Sequence, residues 1–361
     1  LQQKYPYLQW MDFLSKLFKL DCQMYNDDPV LVTDPRYFDE LGKILKTTDK
    51  RIIANLMFWK GAWNILSYLT TEMRRRMDEY MFVITGTTES RPRWQTCISV
   101  LTGSSLEPAL SAMYVRNLFD KHSKGNVMVI TAAIRREMEK LLSTWSWPGI
   151  SKQTRNAGIK KLKAMVEFVA YPEEFLDNRV LNKAYVKVKI FGKTLLNSII
   201  ELRKFSFFKS YGKLGQAVNR TGWENFDSVI AVNAFYSPLR NSIYLPAGIL
   251  RSPFYSSELP WYMNFGGIGS IIGHEITHGF DNRGRHFNAI GKLEDWWGNS
   301  GKVAYEKRMQ CVIDEANNYT VKGLKKGGGL RLKGLQTAGE NIADMGGVKL
   351  ASMAYDSWAR N

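Results

Sequence analysis

The sequence reads GHEITHG from Gly273 to Gly279, and this stretch decides how the chain is interpreted. On an α-helix, His274 and His278 lie one turn apart on the same face, so both imidazoles can reach a single metal ion. The H-E-x-x-H pattern is typical of zinc hydrolases, although this stretch alone leaves open a chance match on an ordinary buried helix. The flanks favour a helix, because isoleucines recur at helical spacing and a polar stop follows: Ile268, Ile271, Ile272, Ile276 and then Asp281-Asn282-Arg283-Gly284.

Three carboxylates complete the expected site. Glu275 is rotated by about 100° from His274 around the helix, which suits a general base acting on water beside the metal. Zinc needs a third protein ligand, and Glu340, in the segment GENIADMGG at residues 339–347, is the candidate. Asp344 lies one turn further on and is expected to fix the tautomer of a ligating histidine. The apolar surroundings of this segment disfavour a solvated acidic helix start.

Three blocks of sequence carry a family resemblance. They are VNAFY at 232–236 followed by LPAGIL at 245–250, the run GIG at 267–269 leading into HEITHGFD at 274–281, and GENIAD at 339–344. With this order and spacing, the chain resembles the neprilysin and endothelin-converting enzyme family of zinc metallopeptidases. Weaker similarity extends upstream through Arg155-Asn156-Ala157 and Tyr171-Pro172.

The resemblance implies the fold and the cofactor. We expect a mainly α protein with a small β-sheet, in which a thermolysin-like zinc peptidase catalytic domain is joined to a helical domain. The helical domain would span residues 1–175 and cover the active-site cavity, and the catalytic domain would span residues 176–361 and be incomplete at its C-terminus. One Zn²⁺ per chain would be held by His274, His278 and Glu340.

The resemblance also implies how a peptide is bound and cleaved. The function expected is that of a zinc-dependent endopeptidase hydrolysing oligopeptides. The amide of Asn233 and the carbonyl of Ala234 would grip the substrate backbone. A pocket near Ile249, Phe254 and Ile271 would favour a hydrophobic residue after the scissile bond. Ser270 departs from the family pattern, because some relatives have a bulkier apolar residue at this position.

A second departure lies at the end of the sequence. Family members continue beyond the position of Asn361 and supply an oxyanion-stabilising histidine and a substrate-binding arginine, whereas no histidine of this chain follows His286. The alternative function is therefore a catalytically impaired metal-binding or peptide-binding protein. Glu275 favours the peptidase, because a metal-binding scaffold needs no base beside its zinc.

Composition describes a globular chain, since 45% of the 361 residues are hydrophobic and 13% are aromatic. No apolar run is long enough for a membrane span, and the first residues include neither an initiator methionine nor a signal-like segment. The resemblance implies an extracellular protein, either a type II membrane ectodomain anchored through a segment absent from this chain or a secreted protein.

The three cysteines, Cys22, Cys97 and Cys311, form no zinc-binding motif. The resemblance implies that such positions form disulfides, with partners of Cys97 and Cys311 near the ends of the full ectodomain. Sequons at Asn219 and Asn318 are compatible with a secreted glycoprotein.

The formal net charge of +16 raises the possibility of nucleic-acid binding. The basic residues are scattered, however, and their short clusters, such as Arg74–Arg76 and Lys160–Lys163, are more typical of solvated helix faces. No nucleic-acid motif accompanies them. Peptide substrates are therefore the expected partners, and nucleic acid is not.

Local patterns predict the elements around the site. Helices are expected over 36–45, after Asp34-Pro35, and over 151–169, ending near Tyr171-Pro172. The runs Val229–Val232 and Ile243–Leu245 predict a hairpin with its turn at Ser237-Pro238. An exposed edge of that hairpin would suit an extended peptide substrate.

Overall fold

A computed structural model describes residues 1–18, 25, 27–104, 106–188, 190, 194–223, 228–320 and 330–360. These residues form mostly α-helices and a three-stranded sheet, so the predicted fold class is confirmed. The helices are α1 Trp10–Phe18, α2 Pro35–Thr47, α3 Lys50–Trp63, α4 Thr71–Thr85, α5 Arg93–Thr102, α6 Glu107–Leu118, α7 Lys121–Ser143, α8 Lys152–Lys163, α9 Asn178–Tyr185, α10 Leu195–Tyr211, α11 Trp261–Asn264, α12 Ser270–His278, α13 Gly298–Asn317 and α14 Gly334–Ala359. Short 3₁₀ turns lie at Leu66–Tyr68, Glu173–Leu176 and Gly284–His286.

The sheet has the order β1-β3-β2, with β1 at Val166–Ala170, β2 at Phe235–Ser237 and β3 at Ser242–Pro246. β1 pairs with β3 in parallel, in a register that places Val166 opposite Ser242. β2 pairs with β3 antiparallel, with Phe235 opposite Tyr244. β2 therefore forms one edge of the sheet.

Two of the local predictions were wrong. The helix expected over 151–169 ends at Lys163, and its last part, VEFVA at Val166–Ala170, is strand β1. The β-branched and aromatic side chains of this stretch suit a strand, and pairing with the distant β3 overrides helical continuation. The first strand of the hairpin is Phe235–Ser237 and not Val229–Val232, which lies in turns before it. The helix after Asp34 was predicted correctly, and the Asp34 side chain accepts a hydrogen bond from the Tyr37 amide as its N-cap.

The chain forms two compact units, one of residues 1–106 and 182–218 and the other of residues 107–181 and 219–361. The predicted domain boundary at residue 175 does not coincide with a boundary of these units. The functional roles expected for the two predicted domains stay predictions. In the first unit, Tyr5 and Trp10 are buried, and the Trp10 indole N–H donates to the Tyr5 carbonyl at 2.6 Å.

The second unit contains a continuous hydrophobic core. Side chains of α7, the sheet, α12 and α14 contribute to it, including Ile130, Ile243, Ile272 and Leu350, each at most 1% exposed. α12 and α14 are thereby attached to the same packed interior. Across the part of the chain that is described, no helix combines the length and the apolar character needed to cross a membrane.

Candidate metal centre

The helix that carries the histidines is positioned by its apolar face. α11, a π-helical turn at Phe265–Gly269 and α12 follow one another without a break. Ile268, Ile272 and Ile276 recur every four residues along this run and are at most 1% exposed, so the predicted apolar stripe faces the core. The two histidines lie off this stripe and are partly exposed, with side-chain exposures of 20% for His274 and 16% for His278.

The histidines present their Nε2 atoms to each other. The two Nε2 atoms are 2.9 Å apart, while each Nδ1 contacts a carboxylate: His274 reaches Asp344 Oδ1 at 2.8 Å and His278 reaches Asp281 Oδ2 at 2.6 Å. A carboxylate at Nδ1 favours the tautomer that carries its proton there, which leaves the Nε2 lone pair free to bind a metal. Both histidines are therefore prepared as Nε2 ligands.

Glu340, on α14, brings a third donor to the same point. Its Oε2 lies 3.3 Å from His274 Nε2 and 3.4 Å from His278 Nε2. Ligands about 2.0–2.1 Å from a tetrahedral zinc are separated by about 3.3 Å, which matches these distances. Among the described residues, His274, His278 and Glu340 form a group whose ligand atoms lie within 4.8 Å of one another. The two nitrogens and one carboxylate oxygen fit a zinc ion.

Glycines allow the two ligand-bearing helices to approach backbone to backbone. A Cβ atom placed on Gly347 would lie 2.5 Å from the Ser270 carbonyl oxygen and 2.9 Å from the His274 amide nitrogen. A Cβ atom on Gly273 would lie 2.8 Å from the Gly347 oxygen. Because α14 lies this close to α12, Glu340 and Asp344 reach the histidines across the helix contact.

Glu275 is buried next to the histidine pair, at 6% exposure. Burial raises the pKa of its carboxyl to about 7, while the charge of His278 acts to lower that pKa and the charge of Glu340 acts to raise it. A carboxyl group with this pKa changes protonation near neutral pH, as a general acid–base residue must.

Asp281 is a site residue that the sequence reasoning missed. No role was predicted for it beyond the helix stop and its place in the block at 274–281, yet it is 5% exposed and contacts His278 directly. Its other oxygen, Oδ1, accepts hydrogen bonds from the amides of Arg283 at 2.8 Å and Gly284 at 2.6 Å. The available signal was a carboxylate close after the second histidine, but α12 ends at His278, so helical spacing does not place Asp281.

The predicted peptide-binding residues lie around the same core. Ala234 and Ile249 belong to the hydrophobic cluster, at 5% and 4% exposure, and Phe254 and Ile271 pack against it. Asn233 is exposed just before the edge strand β2, which contacts α12. The roles assigned to these residues stay predictions. Separately, the Ser270 hydroxyl donates to the Gly266 carbonyl at 2.7 Å, so its polar group is satisfied within the helical run.

The described cysteines, Cys97 and Cys311, are exposed and unpaired, while Cys22 lies outside the described residues. Their expected disulfides stay predictions. Both sequon asparagines, Asn219 and Asn318, are exposed.

Two sequence models of peptidase family M13 match the chain, one over residues 1–172 and the other over residues 233–361. Neprilysin-2 of Drosophila melanogaster is 38% identical over 99% of this chain, and endothelin-converting enzyme 1 of Homo sapiens is 33% identical over 100% of it. The chain spans 47% and 45% of the length of these relatives.

The crystal structure of the zinc metalloprotease ZMP1 of Mycobacterium tuberculosis with an inhibitor is similar to the whole chain, with a TM-score of 0.87 and 26% identity, and is itself covered to 52%. The resemblance drawn from the three sequence blocks is therefore confirmed. Family membership implies a metal cofactor. The chain belongs to peptidase family M13.

Proposed function

We propose that this chain supplies the zinc centre of an endopeptidase that hydrolyses oligopeptides. The observation that carries the proposal is the convergence of His274 Nε2, His278 Nε2 and Glu340 Oε2 at 2.9 to 3.4 Å, beside the buried carboxyl of Glu275. Membership of peptidase family M13 supports it.

His274, His278 and Glu340 would hold one zinc ion per chain. Three protein ligands are typical of catalytic zinc sites, in which the fourth position stays open. Asp344 and Asp281 hold the Nδ1 protons of the two histidines and so orient both rings. A zinc ion bound there supplies Lewis acidity towards the carbonyl of a peptide.

Glu275 is the proposed general base. It would accept a proton from the attacking water and pass it to the leaving amine. With its pKa raised to about 7 by burial, the carboxyl can both take up and release a proton near neutral pH. The buried carboxyl of Glu275 supports hydrolysis over the alternative, a metal-binding or peptide-binding protein without catalysis, because simple binding needs no such group.

The substrate is proposed to bind along the edge of the sheet. β2 is an edge strand, and an extended peptide can add to such an edge through main-chain hydrogen bonds. Asn233 and Ala234, directly before β2, would hold the peptide backbone. Ile249, Phe254 and Ile271 would surround the residue after the scissile bond, so we expect that residue to be hydrophobic.

An extracellular location, as a membrane-anchored ectodomain or a secreted protein, belongs to the same proposal. The exposed sequons at Asn219 and Asn318 support it, because glycosylation of an asparagine requires surface access.

The test combines metal analysis with peptide hydrolysis. Wild-type protein should bind one zinc per chain and cleave fluorogenic peptides with leucine or phenylalanine after the scissile bond faster than peptides with aspartate there. Glu275→Gln keeps the shape of the side chain but cannot accept the proton, so kcat should fall by about 10²–10⁴-fold with zinc content unchanged. Full activity of this variant would reject Glu275 as the base, and no zinc uptake by the wild type would reject the metal centre.

A further inference from the structure

Lys161, in the last turn of α8, is a buried cation outside the groups assigned so far. The basic cluster of α8 was expected to be a solvated helix face, but Lys161 is only 1% exposed. Its Nζ donates to the carbonyl oxygens of Gly279 at 2.6 Å, Gly284 at 2.6 Å and Phe287 at 2.7 Å. An ammonium group has three N–H donors and no acceptor, so the three carbonyls match its protonated form. Burying a charge is costly unless it is hydrogen-bonded in this way.

Burial lowers the pKa of Lys161 to about 7, and the negative charge of Asp281 acts against that shift. The carbonyl acceptors favour the charged form further, because a neutral amine would direct a lone pair at one of them.

All three carbonyls belong to residues 279–287, the segment that follows the metal-binding helix. α12 ends at His278, so the Gly279 carbonyl directly follows the helix, and the carbonyls of Gly284 and Phe287 lie in the turns beyond it. Lys161 supplies partners from a different helix. The segment folds back tightly, because a Cβ atom on Gly284 would overlap the His278 carbonyl oxygen.

Gly284 connects the lysine to the metal site. Its carbonyl accepts from Lys161, and its amide donates to Asp281 Oδ1 at 2.6 Å. The other oxygen of Asp281 contacts His278 Nδ1 at 2.6 Å. Asn241 also links α8 to the chain just after the segment, because its side-chain amide donates to the Lys161 carbonyl at 2.8 Å and to the Ala289 carbonyl at 3.1 Å.

We propose that Lys161 is a positioning residue for the metal centre: it holds segment 279–287 so that Asp281 stays against His278 and fixes the orientation of that imidazole. The inference rests on the zinc site of the proposed function. Lys161 is not one of the three proposed zinc ligands and acts through its contacts with the segment.

The first measurement follows the segment itself and needs no zinc. Lys161→Met keeps the apolar stem but removes the charge and all three donors. Lys124→Met is the matched control, because Lys124 also donates to a carbonyl, that of Tyr171 at 2.9 Å, but at a different place in the same compact unit. Amide hydrogen exchange of Arg283 and Gly284 should accelerate by at least about tenfold in Lys161→Met and remain unchanged in Lys124→Met.

The second measurement is zinc affinity by competition with a chelator. We expect Lys161→Met to bind zinc about tenfold more weakly, as is typical when the groups that orient a ligand are disturbed. Lys161→Arg keeps a cation with several donors and should retain zinc affinity better than Lys161→Met even where its larger side chain lowers the thermal midpoint. In an Asp281→Asn background, Lys161→Met should cost little additional affinity, because both changes act on the same contact.

Wild-type exchange rates in residues 279–287 of a folded Lys161→Met protein would overturn the inference, as would full additivity with Asp281→Asn. If Lys161→Met does not fold, Lys161→Gln takes its place against Lys161→Arg, and equal zinc affinity of the two would count against the role. Failure of the wild type to bind zinc would instead overturn the proposed metal centre, while the exchange experiment would still decide whether Lys161 holds the segment.

Discussion

The metal site has a buried half and an exposed half, and the two are held by different means. In the buried half, on α12 and the segment after it, Glu275 and Asp281 are 6% and 5% exposed. In the exposed half, on α14, the side chains of Glu340 and Asp344 are 68% and 72% exposed. Asp281 is fixed by hydrogen bonds with His278 and with the amides of Arg283 and Gly284, and Glu275 is enclosed by the core. The second half depends on where the backbone of α14 lies.

The glycine contacts show what fixes that backbone. Ion pairs between exposed side chains are worth only about 0–1 kcal/mol, too little to hold a helix in place. The close contact of Gly347 with Ser270 and His274 can do so, because any added atom would collide with main-chain atoms. The buried Asp281 therefore orients His278, whereas the packing of α14 brings Glu340 and Asp344 to the histidines.

The largest expected effect comes from removing Glu340, the proposed zinc ligand in the exposed half. Glu340→Ala should weaken zinc binding on the order of 10³-fold, about 4 kcal/mol, because a strong anionic donor is lost while the histidines remain in place. Asp356→Ala, at an exposed position further along α14, is the matched control and should leave affinity unchanged. Chelator competition measures both variants, and wild-type affinity in Glu340→Ala would remove this residue from the ligand set.

Gly347→Ala tests the contact between α14, which carries the exposed half, and α12, which carries the histidines. The added methyl group collides with the backbone of α12, so the free energy of unfolding should fall by about 3 kcal/mol in urea titrations. Gly125→Ala in α7 is the control, because a Cβ atom there meets nothing within 4 Å. That substitution should be neutral or stabilise by up to about 1 kcal/mol, since alanine is the better helix former. Equal behaviour of the two variants would contradict the packing argument.

The contribution of the buried half to stability should depend on pH. Burial raises the pKa of Glu275 from its ordinary 4.5 to about 7, so the folded, metal-stripped chain binds this proton more tightly than the unfolded chain. Stability should therefore fall as the pH rises between these two values, by about 3 kcal/mol from this group, and stay lower above them. Glu275→Gln cannot ionise.

Urea unfolding of wild type and Glu275→Gln in the presence of chelator measures this difference. The stability of the variant relative to wild type should increase between about pH 5 and about pH 8. A constant difference across that range would show that Glu275 titrates as an exposed carboxyl does.

The sequence predicted those parts of the site that are encoded locally. The spacing of His274, Glu275 and His278 and the apolar stripe beside them are properties of one helix, and the structure places them as helical periodicity requires. Glu340 and Asp344 were predicted from the same spacing on a second helix, and both lie next to His274, while their roles stay predictions.

The features that were missed depend on distant partners. β1 was mistaken for helix because its strand pairing is with β3, far along the chain. Lys161 was taken for a surface residue because the carbonyls that accept its hydrogen bonds belong to residues 279–287, far along the chain. Asp281 was assigned to a helix stop, since a single carboxylate near a turn has many ordinary explanations. Periodicity within one element cannot reveal any of these contacts.

The smallest effects should separate the two carboxylates that orient the histidines. In Asp281→Asn, the remaining side-chain oxygen accepts the hydrogen bonds from the backbone amides of Arg283 and Gly284. The new NH₂ group therefore faces the His278 Nδ1 proton. Two donors then oppose each other, and His278 must change tautomer or rotate. In Asp344→Asn, the exposed amide is free to turn its oxygen towards His274.

Loss of an orienting carboxylate typically costs about 10–100-fold in metal affinity, and we expect Asp281→Asn near the upper limit and Asp344→Asn near the lower. Chelator competition on both variants under identical conditions measures the ratio. A larger loss for Asp344→Asn would show that the exposed carboxylate, and not the buried one, controls the geometry of the histidine pair.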